Sequence, residues 1–450
     1  MLAEKFFIKE SFEKFAYKTF LIGGDLSLTY ADTFNLIKQT IPVVHNLPVR
    51  ENRFVGIVAS SSIHTIVNIF AVILSGNIAV LLSDKEPESR IQELIGSIDC
   101  RTVFDKQSLP ADTDNSSEKM LSPENDATVI FSSGSTHTPK AILHTFSNHF
   151  YSAVGSNDNI ELSQGDKWLL SLPLFHVSGL SILFRTLLAG ATVVLQDRSL
   201  PLSENIEKYS VTHLSLVESQ LHELLQTDNQ YENLKSVLVG GSKISHSLIA
   251  QAFENKIPIR TTYGSSEMAS QITATAENDP FAKLYTSGKL LSYRELTLAE
   301  DGEILVRGET LFKRYLNVDI TVDNDGWFHT SDIGSIDSDG YLSVIGRKDN
   351  MFVSGGENIY PEEIESILQS SNLLTTAIVI EKEDEKFGYI PVLFYDSSNK
   401  VEIESIQKLL KNKLPKFKRP KEIYELPKNY KPTGIKIDRN FLREWLQKNY

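Results

Sequence analysis

The feature that most constrains the fold is a series of short, continuous apolar runs separated by segments with helical periodicity. Residues 54–59 (FVGIVA) and 78–83 (IAVLLS) are two such runs, and a helical pattern over 63–75 lies between them. Strands that are apolar at every position are buried on both faces, which is typical of parallel sheets covered by helices. The sequence therefore predicts an α/β protein.

This alternation continues through the middle of the chain. From residue 167 onward, strand-length runs alternate with helical patterns: strands at 168–173, 191–196, 213–217 and 236–240, and helices at 177–189, 201–208 and 218–226. Apolar strands separated by helices again predict a parallel sheet. We therefore expect a large N-terminal region of parallel-type sheets flanked by helices.

The pattern changes after about residue 285. Short alternating strands with turn signals predict a small β-barrel-like part there, which includes a hairpin over 333–346. From about residue 350 the chain predicts a small α+β region, with a helix that begins at Pro361, strands at 375–381 and 390–395, and helices at 402–413 and from 439.

Charge and cysteine content exclude several classes of protein. A net charge of −13 and a pI near 5.4 argue against a general binder of nucleic acid or anionic membranes. The single cysteine, Cys100, which we interpret as structural, excludes an internal disulfide framework and suits the cytoplasm. The most apolar window, 66–83, is too short to span a bilayer, and the N-terminus resembles neither a signal nor a transit peptide.

A loop dense in small polar residues follows the predicted strand that starts at residue 129. Backbone N–H groups in such a loop can point inward around an anion, and hydroxyl groups and a lysine add donors and positive charge. The residues that would supply these groups are Ser132, Ser133, Gly134, Ser135, Thr136 and Lys140. The loop has no Walker pattern. It predicts a triphosphate site, with a polar surface turn as the alternative.

The loop resembles the phosphate loop of the adenylate-forming enzymes, a family that includes acyl-CoA synthetases, adenylation domains and luciferases. Ser133-Gly134-Ser135-Thr136 and Pro139-Lys140 match the family pattern, whereas His137 and Ala141 stand where the family usually has glycine. Histidine tolerates a backbone φ above 0° less well than glycine, so the path of the loop near His137 is left open. The resemblance implies that this loop binds ATP and places Thr136 among the catalytic residues.

A second segment, Tyr263-Gly264-Ser265-Ser266-Glu267, is similar to the family motif that holds adenine and Mg²⁺. In that motif the aromatic ring stacks on adenine, and the glutamate helps to hold Mg²⁺ against the phosphates. Glu267 suits this role because Mg²⁺ takes oxygen ligands. The alternative is a polar loop in which Glu267 is merely solvated.

Residues that resemble the family's ribose-binding set follow in the same order. Asp332 matches the aspartate that binds the ribose hydroxyls, although Ser331 stands where the family usually has glycine. Arg347 matches a second ribose-contacting residue, and Asp349 matches the hinge between domains. A surface salt bridge is the alternative role for Arg347.

Two motifs near the C-terminus resemble those that act on the thiol and on the reacting carboxylate. Gly355-Gly356 is similar to the loop that approaches the acceptor thiol, and a simple turn is the alternative. Lys436 resembles the catalytic lysine, although Ile435 separates it from the glycine that usually precedes it. Lys431 is the rival, and we prefer Lys436 because it keeps its register with the following Ile-Asp-Arg.

Together the motifs imply a ligase that uses ATP, Mg²⁺ and CoA and forms an acyl-adenylate. The resemblance implies an ATP- and acid-binding domain over 1–348 and a small mobile lid domain over 349–450 that carries the catalytic lysine. Rotation about Asp349 would withdraw the lysine and open a path for the thiol.

The acid pocket is predicted from the stretch between Ser171 and Ala191. It resembles ligases for an aromatic dicarboxylate more than fatty-acid or acetate enzymes. Arg185, about two turns along a helix from His176, could anchor the second carboxylate, because guanidinium pairs with carboxylate in a bidentate manner. A solvent-facing or capping arginine is the alternative. His176 and Ser178 would line the pocket, unless His176 is a hydrogen-bonded core residue.

Other functions stay open at this point. One is an aryl-CoA ligase of the benzoate or coumarate type, and another is an adenylation domain that loads a carrier protein. A non-catalytic nucleotide-binding protein is supported only by the departures at His137, Ser331 and Ile435. The sequence also leaves open whether the chain forms a homo-oligomer.

Overall fold

The chain divides into two compact units. The structure, a computed structural model, describes residues 2–104, 122, 124–132, 139–227, 230–242, 244–319, 322–371, 373–374, 376–396, 401–430 and 437–449. The first unit comprises Met1–Ser242, Ala252–Leu296 and Val306–Phe328, and the second comprises Lys243–Gln251, Thr297–Leu305 and His329–Tyr450. The second unit thus includes residues before the predicted boundary at 348, and the hinge at Asp349 stays a prediction.

Seven of the helices within the described residues match helices that the sequence predicted, at 63–75, 177–189, 201–208, 218–226, from 361, at 402–413 and from 439, whereas the other five were not predicted. In chain order, the helices are α1 Leu2–Lys14, α2 Tyr30–His45, α3 Ile63–Leu74, α4 Glu88–Gly96, α5 Phe146–Asn157, α6 Val177–Ala189, α7 Leu202–Tyr209, α8 Glu218–Leu225, α9 His246–Glu254, α10 Pro361–Gln369, α11 Ile403–Lys413 and α12 Arg439–Asn449. Among the described residues, none of these helices is both long enough and apolar enough to cross a membrane.

The strands of the first half of the chain are β1 Thr19–Gly23, β2 Leu26–Thr29, β3 Phe54–Val58, β4 Ile78–Leu82, β5 Thr102–Val103, β6 Asp126–Ser132, β7 Lys140–Thr145, β8 Lys167–Leu170, β9 Thr192–Leu195, β10 His213–Leu216, β11 Ser236–Val239 and β12 Ile259–Ser265. Those that follow are β13 Ser270–Ala274, β14 Lys289–Leu290, β15 Arg294–Leu298, β16 Glu303–Gly308, β17 Arg314–Tyr315, β18 Phe328–Ile336, β19 Leu342–Arg347, β20 Phe352–Ser354, β21 Glu357–Ile359, β22 Ala377–Asp384, β23 Gly388–Tyr395 and β24 Glu422–Glu425.

Two large sheets organise the first unit, and their central strands are parallel as predicted. One sheet has the order β14-β13-β12-β11-β10-β8-β9-β1-β2, and the other has the order β17-β7-β6-β4-β3-β5. Antiparallel pairs occur toward the edges, where β12 pairs with β13 and β6 pairs with β7. Helix α3 follows β3 in the chain. It is buried because its residues are apolar on nearly every side. The predicted fold class is confirmed.

The barrel-like part is a four-stranded sheet in the order β15-β16-β18-β19. Its last two strands form the predicted hairpin, in which Asp332 is the register partner of Arg347. A Cβ on Gly334 would lie 2.8 Å from Ile304 Cδ1, so the hairpin packs closely there.

The second unit carries a smaller sheet that is covered on both faces. Strands β21, β20, β23 and β22 are neighbours in that order, and β24 pairs with β23. Ala377 and Val379 pack into a core shared with α10 and α11, whereas Ile378 and Ile380 pack against α12. This explains why β22 begins with an unbroken apolar run and not with alternation.

Candidate active site

The phosphate-loop motif is carried by the antiparallel hairpin of β6 and β7. Ser132 and Lys140 are register partners at the ends of these strands, so the predicted loop leaves and re-enters the sheet at one place. The other residues predicted for this loop lie outside the described residues: Ser133, Gly134, Ser135, Thr136 and His137. Their role in binding phosphate stays a prediction.

Asn317 holds the end of this loop in place. Its Oδ1 accepts a hydrogen bond of 2.8 Å from the backbone N–H of Ala141, and its Nδ2 donates at 2.8 Å to the carbonyl of Pro139. Both groups of the amide are therefore satisfied on either side of Lys140. The sequence analysis missed this residue, because the two segments are separated by 176 positions.

The predicted adenine and Mg²⁺ segment begins in β12, and its shape depends on Gly264. The register of β12 against β13 shifts between Tyr263 and Gly264. A Cβ on Gly264 would lie 2.1 Å from the carbonyl oxygen of Ser270, a distance that no side chain can adopt without a backbone shift. Glycine is therefore required at this position by the close approach of the Ser270 backbone.

Glu267 is half-buried and is held by Tyr315. The hydroxyl group of Tyr315 donates to Oε1 of Glu267 at 2.8 Å, and the backbone N–H of Phe312 donates to the Glu267 carbonyl at 2.7 Å. Within the described residues, Oε2 of Glu267 accepts no hydrogen bond. One fixed carboxylate with an unoccupied oxygen fits Mg²⁺, which binds one or two protein carboxylates and completes its shell with phosphates and water.

Lys140 contacts the aromatic ring of the same tyrosine. Its ammonium nitrogen is 5.3 Å from the centroid of the Tyr315 ring. The Phe312 ring packs against Tyr315 with a centroid distance of 4.6 Å. The structure thus brings together two predicted residues, Lys140 and Glu267, through a tyrosine that the sequence analysis did not identify.

His144 supports the same segment from the interior. It is fully buried, and its Nε2 lies 2.7 Å from the carbonyl oxygen of Ser266, so Nε2 carries the proton and donates it. Burial lowers the pKa of His144 to about 4, and the imidazole is therefore neutral near pH 7. Its ring also lies 5.3 Å from that of His149, which stacks on Phe184.

Helix α6 positions the residues that were predicted for the acid pocket. His176 is the N-cap residue of α6 and is exposed, so the alternative of a core histidine is wrong. Ser178 lies in the first turn and is half-buried. A Cβ on Gly179 would lie 2.2 Å from the carbonyl oxygen of Pro173, and this glycine therefore allows the helix to start close to the preceding loop.

Arg185 is buried, with 1% of its surface exposed, so a solvent-facing role is excluded. Its Nη2 donates to Oγ of Ser270 at 2.9 Å, and its guanidinium carbon lies 5.5 Å from the centroid of the Trp168 ring. Nε has no acceptor within the described residues. Burial and the nearby charge of Arg294 lower the pKa of Arg185 to about 9, so it remains a cation near pH 7.

Ser270, which contacts Arg185, lies in a strained backbone segment. Ala269 has φ +51° and Ser270 has φ +126°, values that residues with side chains rarely adopt. Ser152 donates from Oγ to the Ala269 carbonyl at 2.7 Å, and Arg294 donates from Nε to the Gln271 carbonyl at 2.6 Å. Hydrogen bonds to the residues on both sides of Ser270 therefore stabilise the backbone conformation in which its hydroxyl group contacts Arg185.

In the second unit, the predicted ribose-binding residues contact each other. Arg347 donates from Nη1 to Oδ1 of Asp332 at 2.9 Å and from Nη2 to Oδ2 of Asp349 at 2.8 Å. Ser331 has φ +60°, which explains why glycine suits the position before this aspartate. Its N–H donates to Oε1 of Glu303 at 2.9 Å. The ribose and hinge roles stay predictions.

Gly355 and Gly356 form the turn between β20 and β21. Their φ angles are +60° and +88°, as a tight two-residue hairpin requires. This turn accounts for both glycines, so the alternative of a simple turn explains the motif, and a role toward the acceptor thiol stays a prediction.

Lys436 and its rival Lys431 both lie outside the described residues. The chain that follows is anchored at the start of α12, where Arg439 donates from Nη2 to both carboxylate oxygens of Glu365 at 2.7 and 2.8 Å. Burial raises the pKa of Glu365, and the charge of Arg439 opposes this shift.

Comparison with known proteins identifies relatives over nearly the whole length of the chain. Residues 8–316 match the model of the family described as AMP-binding enzyme. The 2-succinylbenzoate–CoA ligase of Listeria monocytogenes serotype 4b (strain F2365) is 30% identical, and the match covers 95% of this chain and 96% of that protein. The enzyme of the same name from Bacillus subtilis (strain 168) is 31% identical, with 94% of each chain covered.

Solved structures show the same similarity. The o-succinylbenzoate CoA synthetase of Bacillus subtilis in complex with its acyl-adenylate intermediate has a TM-score of 0.90 and 29% identity, over 98% of each chain. The same enzyme in complex with ATP and a magnesium ion has a TM-score of 0.89 and 28% identity, over 97% of this chain and 99% of that one.

Proposed function

The chain belongs to the AMP-binding enzyme family, and we propose that it joins 2-succinylbenzoate to the thiol of CoA in menaquinone biosynthesis. The reaction converts 2-succinylbenzoate, ATP and CoA to 2-succinylbenzoyl-CoA, AMP and pyrophosphate through an acyl-adenylate. Relatives of this name match nearly the whole chain. The choice of 2-succinylbenzoate as the acid rests on Arg185. This buried cation has no carboxylate partner within the described residues.

The first half of the reaction must overcome the poor electrophilicity of a carboxylate. Its attack on the α-phosphate of ATP forms a mixed anhydride and expels pyrophosphate. Glu267 would hold Mg²⁺, which when bound neutralises charge on the phosphate oxygens. Lys140 adds a cation at the phosphate loop, and Lys436 would stabilise the charge that develops at the reacting centre. Tyr263 would stack on adenine.

The ribose would be held by the hairpin of β18 and β19. Asp332 would accept hydrogen bonds from the two ribose hydroxyls, and Arg347 orients that carboxylate through its 2.9 Å contact. The same arginine contacts Asp349, so the ribose site and the proposed hinge share one guanidinium group. Nucleotide binding and hinge rotation would therefore act on the same residue.

In the second half of the reaction, the CoA thiolate attacks the acyl carbon and AMP leaves. We propose that rotation about Asp349 withdraws Lys436 and brings the turn of Gly355 and Gly356 toward the pantetheine arm. Two glycines at this turn let a ligand approach the backbone closely, because no Cβ stands in the way.

The acid pocket would be lined by His176 and Ser178, and the second carboxylate would pair with Arg185. An unpaired cation in the interior is costly, so an anionic substrate group that enters beside it gains a strong, charge-assisted partner. We expect catalysis in the cytoplasm on small-molecule substrates, with no nucleic-acid partner and no insertion into a membrane.

The alternatives are separated by the acid and the acceptor that support turnover. The test measures pyrophosphate release with ATP and Mg²⁺, using 2-succinylbenzoate, benzoate, coumarate and a medium-chain acid, each with and without CoA. We expect release with 2-succinylbenzoate only, and formation of its CoA thioester. Release with benzoate or coumarate alone would support an aryl-CoA ligase, and release without transfer to CoA would support a carrier-loading domain. Nucleotide binding without any release would contradict an enzyme.

A further inference from the structure

The side chain of Tyr315 contacts two charged groups of the proposed phosphate site. Its hydroxyl group is 2.8 Å from Oε1 of Glu267, and its ring centroid is 5.3 Å from Nζ of Lys140. Tyr315 is 5% exposed, and β17, which contains it, pairs with β7, which begins at Lys140. A single side chain thus contacts both the carboxylate and the ammonium group.

We propose that Tyr315 is a positioning residue that holds Glu267 ready for Mg²⁺ and keeps Lys140 apart from it. This inference rests on the proposed function, because it assumes that Glu267 is the Mg²⁺ ligand. Tyr315 itself would touch neither the metal nor the substrate.

The hydroxyl group provides the first half of this role. A glutamate side chain has three rotatable bonds, and a charge-assisted hydrogen bond to Oε1 restricts them while leaving Oε2 toward the ion. Groups that orient a metal ligand in this way commonly change metal affinity or activity by roughly 10- to 100-fold when they are removed. The tyrosine is itself held, because Phe312 packs on its ring and Ile142 is its register partner in β7.

The aromatic ring provides the second half. An ammonium group is attracted to the face of a tyrosine ring, so Lys140 has a favourable place that is not a salt bridge. Within the described residues, no ion pair joins Lys140 to Glu267, whereas each of the two contacts Tyr315. A direct pair would neutralise the cation meant for phosphate and the carboxylate meant for Mg²⁺. By offering Lys140 this alternative contact, the ring would keep the two groups from neutralising each other.

Two substitutions separate these halves. Tyr315→Phe keeps the ring and removes the hydroxyl group, whereas Tyr315→Leu removes both the hydroxyl group and the aromatic face. The readout is the dissociation constant of α,β-methylene-ATP, measured by calorimetry with and without Mg²⁺, so that no turnover is required. The ratio of the two dissociation constants measures how much bound Mg²⁺ tightens nucleotide binding.

We expect Mg²⁺ to tighten nucleotide binding in the wild type and to do so roughly tenfold less in Tyr315→Phe. Binding without Mg²⁺ should change little in Tyr315→Phe, because Lys140 keeps its place over the ring. In Tyr315→Leu, binding without Mg²⁺ should weaken as well, because Lys140 can then pair with Glu267.

Two controls make the outcome decisive. Tyr30→Phe removes a buried hydroxyl group that donates to the carbonyls of Thr186 and Ala191, away from Glu267. The inference would be overturned if Tyr30→Phe and Tyr315→Phe reduced equally the factor by which Mg²⁺ tightens nucleotide binding. Glu267→Gln tests the premise that Glu267 is the Mg²⁺ ligand. If Glu267→Gln reduces the effect of Mg²⁺ on nucleotide binding and Tyr315→Phe does not, only the inference about Tyr315 fails. If Glu267→Gln has no effect, the proposed role of Glu267 fails and the inference fails with it.

Discussion

Arg185 donates a hydrogen bond of 2.9 Å to the hydroxyl group of Ser270, although Ser270 sits in a backbone conformation with φ +126°. Ser270 is a neutral partner, so it orients the guanidinium group without neutralising it. The strain at Ser270 is thus tied to the position of an interior cation, and such strain is commonly found where a fold positions functional groups.

Replacing Arg185 with methionine should remove the anchor for the second carboxylate. We expect kcat/KM for 2-succinylbenzoate to fall by about 100-fold or more, because a buried charge pair that loses one partner costs about 2–5 kcal/mol. Any residual turnover of benzoate should change little. Arg307→Met, at an arginine that pairs with Glu295 near the surface, is the matched control. An unchanged kcat/KM in Arg185→Met would place the second carboxylate elsewhere.

Lys436 and Lys431 can be distinguished by testing the two half-reactions separately. Lys436→Ala should reduce ATP–pyrophosphate exchange by about 10²- to 10³-fold, the effect typical of losing one group that stabilises developing charge. Thioester formation from synthetic acyl-adenylate and CoA should change little, because the lysine acts only in adenylation. Lys431→Ala is the control, and the reverse pattern would identify Lys431 as the catalytic residue.

Ser331→Gly should stabilise the protein. Ser331 has φ +60°, and a residue with a Cβ costs roughly 1–2 kcal/mol in the left-handed region. Part of this gain is offset by the greater freedom of glycine in the unfolded chain, so we expect about 1 kcal/mol from urea denaturation. Ser335→Gly, later in β18, should instead destabilise, because glycine weakens the interior of a strand. A change in the free energy of unfolding in the same direction for both variants would contradict this explanation.

His144 should make the protein less stable in mild acid. Its pKa is lowered to about 4 by burial, whereas an exposed histidine titrates near 6.5. Between these values the unfolded chain binds a proton that the folded chain excludes, so stability falls as the pH decreases from about 6.5 to 4. The loss from this residue should reach about 2 kcal/mol by pH 5.

His144→Gln provides the comparison, because its side-chain amide can still donate to the Ser266 carbonyl and does not titrate. Urea midpoints measured at pH 7.5 and pH 5 should decrease more in the wild type than in this variant. His213, whose pKa burial also lowers to about 4, remains in both proteins and cancels in the comparison. Parallel decreases would show that His144 is not the titrating group.

Local patterns in the sequence predicted most of the fold. The helix expected over 177–189 is α6, the helix expected to begin at Pro361 is α10, and the hairpin expected over 333–346 lies within β18 and β19. These signals are local, because the period of apolar residues, proline at a helix start and turn residues act within a few positions. The reaction class was implied by the resemblance of the motifs, in their order, to those of the adenylate-forming enzymes.

Other features depend on contacts between distant segments and were decided only by the tertiary structure. Glu267 and Tyr315 are 48 positions apart, and Arg185 and Ser270 are 85 positions apart. No local pattern specifies which side chains meet across such distances, because the packing of strands and helices from distant parts of the chain brings them together. The sequence therefore determined which chemical groups the protein possesses. The tertiary structure decided which of them lie within hydrogen-bonding distance, because that depends on how the strands pair and how the helices pack between them.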